Sequence, residues 1–174
     1  MDKCGERGYP RLMAYTPSDE ILRKYADVLV NFALNLGKGI NKGDVVRVSA
    51  NESAKPLYNA VCNAITKSGG HVIAHYAPDE EKGDMRRNES HARFFYSTAS
   101  DDQIKFFPAK YLKALVDTMD HSLFILADKD PHALDGVNPK RIMMRGQALK
   151  PFMDWRNEKQ HKGKLETFKK RLYA

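Results

Sequence analysis

The sequence predicts a small α/β domain, Rossmann-like and three-layered, with a mostly parallel sheet of at least three strands flanked by helices. Three observations carry this expectation. The run Leu123, Phe124, Ile125, Leu126, Ala127 has no polar interruption, which suits a strand covered on both faces of a parallel sheet. Residues 45–50 and 71–76 form two more strand-like runs, separated by a helical pattern of the length a parallel crossover needs. Residues 21–36 repeat Ile21, Leu22, Tyr25, Val28, Leu29, Phe32, Ala33 and Leu36 at three- and four-residue spacing, giving a helix with one apolar face.

The elements follow in order. Thr16-Pro17-Ser18-Asp19 offers a cap, a proline for the first helical position and an acid three residues after the cap. The helix should run to Leu36, with Gly37 and Gly39 ending it. After Asn41-Lys42-Gly43-Asp44, the β-branched run 45–50 reads as a first strand. A helix over 54–67 buries Leu57, Val61, Cys62 and Ile65, and Ser68-Gly69-Gly70 leads into the strand 71–76. Residues 78–99 turn charged and then aromatic, predicting an inserted helix from residue 84. Another helix over 109–119 feeds the apolar strand, and Asn138-Pro139 starts a helix through 141–155.

A chain of 174 residues with 42% apolar content is sized for one domain. We place it at 16–155, after a flexible leader at 1–15 and before a basic segment at 156–174, helical or loose. No run approaches the roughly 18 apolar residues of a membrane span, and the N-terminus lacks a signal-peptide core. Cytoplasmic localisation is therefore expected, with Cys4 and Cys62 as free thiols. The net charge is +7, of which the stretch 156–174 contributes +5 through seven basic and two acidic residues. Charge gathered at one end lacks the structured stripe of a nucleic-acid binder, so nucleic acid is not expected as a partner, and without an apolar span neither is a membrane.

Few residues suggest chemistry. The loop after the first strand, SANESAKP, lacks the glycines of a dinucleotide or phosphate-binding motif, so Asn51 and Ser53 read as helix caps. His71 and His75 lie about 13 Å apart if they sit on a strand, too far to share an ion without other ligands. Asp128, Asp130 and His132 follow the buried strand and are the only dense candidates for a hard cation or acid–base work. Asp130-Pro131 and Asp135-Gly136 also give those acids turn roles, which is the preferred reading. No residue is assigned as catalytic, as cofactor-binding or as a metal ligand.

Four segments in order, ILRKYADVLVNFALNL, KGDVVRVSA, FILADKDPHALDGVNPKRI and ALKPFMDWRNEKQHKGKL, resemble the N-terminal domain of the metal-dependent aminopeptidases typified by thermophilic aminopeptidases T and S. The resemblance covers about 20–165. It implies a cytoplasmic, dimeric exopeptidase in which a pair of divalent ions (zinc, cobalt or magnesium) polarises the scissile carbonyl and activates water. In that family the metal ligands belong to a larger C-terminal domain, and none maps onto a residue of this chain. The family continues past Leu165 into further sheet and the catalytic half, whereas here a short basic ending follows. The expectation is therefore a truncated or split enzyme, inactive alone, with no cofactor of its own. Its partner would be a C-terminal catalytic half or a second copy, with peptide substrate only in the complete enzyme. The alternative is a non-enzymatic binding or dimerisation module, suggested by Phe94, Phe95, Tyr96, Phe106 and Phe107.

Overall fold

The apolar run around Leu123 becomes a central strand, β3 (His121–Leu126), with Leu123 fully buried. The computed structural model describes residues 17–79, 91–127 and 129–171, the side chains of Lys170 and Arg171 excepted. Beside β3 lie β1 (Val45–Asn51) and then β2 (His71–Ala77) on one side, and β4 (Glu166–Arg171) on the other. The four-stranded sheet has the order β2-β1-β3-β4, and every pairing is parallel.

Pleating fixes two faces. Val46, Val48 and Ala50 of β1 align with Val72, Ala74 and Tyr76 of β2 and with His121, Leu123 and Ile125 of β3, so these residues share the first face. Helices α1 (Asp19–Asn31) and α2 (Lys55–Lys67) cover that face with Ala26, Leu29, Val30, Leu57, Val61 and Ile65. Side chains of this size gain about 1.5–3 kcal/mol each when fully buried, which makes this layer the main source of stability. On the second face, α5 (Ala109–Thr118) and α7 (Lys150–His161) enclose a smaller cluster of Val116, Met119 and Leu165, with Phe152 and Trp155 packed against it. The expected α/β class with a parallel sheet between helices is thus observed.

Helix α1 begins two residues later than the sequence suggested. Ser18 is its cap, extended in backbone and accepting from the amide of Ile21. It also ends earlier, at Asn31, because Leu34 turns into the core and a short 3₁₀ turn (Asn35–Gly37) follows. Asn35 and Leu36 sit at φ of 54° and 53°, and Leu36 is almost wholly exposed. Gly39 closes the turn at φ +75°, where a Cβ would lie 2.6 Å from the Asn31 carbonyl oxygen; only glycine fits there.

Between β2 and α5 come α3 (His91–Thr98) and a short α4 (Asp101–Lys105), the latter carrying a complete capping box from Ser100 and Gln103. The helix expected from residue 84 lies in the described residues only from His91. The single helix expected over 141–155 is two, α6 (Pro139–Ala148) and α7. Pro151, which has no N–H to continue the ladder, stands in the first turn of α7. Arg141 and Arg145 of α6 tie this region together: they donate to the carbonyls of Tyr96, Ala99, Ile104 and Phe106. The basic stretch after residue 155 joins the fold as the second half of α7 and as β4. None of the helices among the described residues is long and apolar enough to cross a membrane.

Candidate functional site

All four strands run the same way, so the loops after β1, β2 and β3 gather at one rim, where open α/β sheets generally bind ligands. After β1 the chain enters a 3₁₀ turn (Glu52–Ala54) that leads into α2. Asp79, just past β2, accepts from the amide of Ser53 at 3.1 Å, and the Ser53 hydroxyl donates to its other oxygen. The chain's own carboxylate therefore occupies the helix-start position that a ligand anion would take. Asn51 holds the extended cap geometry but makes no side-chain cap bond.

After β3, Asp130 and His132 are drawn into local turn bonding. Asp130 accepts from the His132 amide at 2.8 Å, and the His132 Nδ1 lies 3.0 Å from a carboxylate oxygen of Asp135. Both side chains of the latter pair are mostly exposed. Asp128 lies outside the described residues. Among the described residues no three His, Cys, Asp or Glu side chains converge to hold a metal ion. His71 and His75 do lie on a strand, four residues apart, and the His75 Nδ1 is 3.0 Å from the Ser49 hydroxyl.

At the opposite end of the sheet a charged group holds three elements together. The His121 Nε2 is 3.0 Å from an Asp44 oxygen, and its Nδ1 approaches Glu166 at 3.5 Å without hydrogen-bonding alignment. Glu166 in turn accepts from the amides of Asn35 and Leu36, which holds the left-handed turn against β4. Burial pushes the Asp44 carboxyl up, but the Asn41 amide and His121 outweigh that and leave it below its ordinary value. Asp44 and Glu166 thus spend lone pairs on backbone amides, an anchoring arrangement for the turns around them.

The second face of the sheet holds the least expected arrangement. Arg47 and Ser49 of β1, His75 of β2, and Ser122 and Phe124 of β3 share it by register. Arg156 reaches down from α7. The guanidinium carbons of Arg47 and Arg156 lie 5.4 and 4.9 Å from the centroid of the Phe124 ring, and both arginines are 7% exposed. Burial lowers the affinity of both for protons, and for Arg47 the neighbouring Arg156 adds to the effect. Burial and then Arg47 also hold His75 below its ordinary value. Arg156 donates to the Thr167 hydroxyl at 3.3 Å, while among the described residues its Nε and the Ser122 hydroxyl are buried without partners. Sequence reasoning missed this cluster, although its signal lay in β1: Arg47 and Ser49 alternate with Val46, Val48 and Ala50.

Comparison with known proteins identifies a family and a structural likeness. The profile described as thermophilic metalloprotease (M29) matches residues 18–167. Among solved structures, wild-type AmpT from Thermus thermophilus superposes with a TM-score of 0.67 at 17% identity. The likeness covers 89% of this chain and 36% of the AmpT chain, and at that identity it speaks for the fold. No curated protein matches.

Proposed function

Because this chain belongs to the thermophilic metalloprotease (M29) family, we propose that it serves as the noncatalytic, N-terminal α/β part of a metal-dependent aminopeptidase. In the complete enzyme the activity is hydrolytic release of N-terminal residues from peptides, and this chain by itself is inactive. The observation that carries the reading is the absence, among the described residues, of any convergent set of metal-ligating side chains. Hydrolysis by a pair of metal ions needs several carboxylates or imidazoles around one small site. Here Asp130, His132 and Asp135 are engaged with one another or with backbone on an exposed loop. The chain also spans only 36% of AmpT, which agrees with metal ligands supplied by other parts of such an enzyme. Incubating the purified chain with aminoacyl reporter peptides and zinc, cobalt or magnesium should release no product above the metal-only background. Robust metal-dependent release would overturn the proposal.

A second reading, a non-enzymatic docking or dimerisation module, draws support from Phe94 and Phe106, both more than half exposed. Their neighbours Phe95, Tyr96 and Phe107 are partly buried, with Phe107 packed on Trp155. A strict monomer in light scattering at high concentration would count against this second reading.

A further inference from the structure

We propose that Arg47 and Arg156, stacked against Phe124 on the second face of the sheet, bind a small oxyanion of the carboxylate or phosphate class. The inference does not depend on the peptidase reading.

Two guanidinium groups share one aromatic ring, at 5.4 and 4.9 Å from its centroid, so their carbons are no more than about 10 Å apart. Each side chain is more than nine-tenths buried. Arginine stays protonated in proteins, and a buried cation is ordinarily matched by an acid. Here none is found: among the described residues neither arginine forms an ion pair. Register places Val45, Arg47, Ser49, Ile73, His75, Ser122, Phe124 and Thr167 on this face, and not one is acidic. Lys169, aligned with Phe124 on β4, adds a further positive charge.

The hydrogen-bonding capacity is unspent as well. Arg156 uses one Nη on Thr167 and the other on the sulfur of Met153, at 3.3 and 3.8 Å, and its Nε donates to nothing. Ser122, the cross-strand neighbour of both Arg47 and Thr167, keeps a buried hydroxyl without a partner. Leaving such groups unpaired is costly, and an oxyanion accepting from two guanidinium forks would neutralise the charge and take up donors together. His75 and Tyr111, the titratable neighbours of Arg47, are both exposed. The contact of Arg47 with the Phe124 ring, 5.4 Å from its centroid, holds one fork in place before any ligand arrives.

The test is the thermal midpoint of the full chain in rising sodium phosphate, and separately in rising sodium acetate, with ionic strength held constant by sodium chloride. A saturable rise with either salt is expected, because ligand bound only by the folded state shifts the midpoint by mass action. Phosphate alone would assign the phosphate class, acetate alone the carboxylate class, and both a shared oxyanion site. Arg47→Met and Arg156→Lys should each need about tenfold more anion for the half-maximal rise. The lysine variant keeps the charge and loses the fork, which separates a built site from general attraction. A response matched by chloride, one that never saturates, or one undiminished in both variants would overturn the proposal.

Discussion

Replacing Arg47 by Met should stabilise the chain in a chloride buffer free of oxyanions, against the usual expectation for a buried residue. Among the described residues the charge removed has no acid partner, and it stands no more than about 10 Å from Arg156. At an effective dielectric constant of about 20, two like charges at that separation repel by roughly 1.7 kcal/mol. Losing the contact with Phe124 costs about 0.5–2 kcal/mol. These two nearly cancel, and the desolvation penalty of a 7% exposed guanidinium tips the sum. Methionine fills the same unbranched volume on a sheet face. The net change should be about 1 kcal/mol in favour of the variant, a rise of about 2–4 °C in midpoint for a chain of this length. Urea unfolding followed by circular dichroism and calorimetry measures it. A loss of more than about 1 kcal/mol would refute the reasoning, since it would mean that Arg47 has a compensating anion in the folded chain.

Other positions give sharper losses. Lys159 donates to the carbonyls of Val116, Asp117 and Met119 at 2.8, 2.9 and 2.6 Å, closing the C-terminal end of α5; Lys159→Met should cost about 2–3 kcal/mol in urea unfolding. Leu123→Ala, at a fully buried position in the central strand, should cost about 3–4 kcal/mol by the same assay, with no change in the order of the sheet. Asp44 has a depressed folded-state value. Its stabilising contribution is therefore present above the unfolded-state value and lost as pH falls through the lower folded one. Asp44→Asn should be less stable than the parent near neutral pH, with the difference narrowing in an acid titration below about pH 4.

The first face of the sheet could be read from sequence because its physics is periodic. Val46, Val48 and Ala50 alternate, Leu123 to Ala127 run without interruption, and α2 repeats Leu57, Val61 and Ile65 at helical spacing. The end of α1 could not, because Phe32 and Leu36 continue the apolar period while the chain turns at Leu34, guided by Glu166 far along the sequence. The strand β4 was hidden for a related reason. In ETFKKR only Thr167 and Phe168 favour a strand, and the lysines read as a solvated tail until β3 supplies a pairing partner. Arg156 and Lys159 were counted with that tail, yet they turn inward, one over Phe124 and one onto α5. Long-range partners decide such positions, and local spacing carries no trace of them. Asp130 and His132 were legible as turn residues, since Asp-Pro and Asp-Gly steps encode their bonding locally.

The central proposal is that this chain by itself is the noncatalytic part of a metal-dependent aminopeptidase. Equilibrium dialysis of the full 174-residue chain against micromolar cobalt(II), followed by metal quantification, tests it most directly. The account predicts well under one ion retained per chain. Retention of a pair of ions per chain, together with release of N-terminal residues from a reporter peptide, would contradict it.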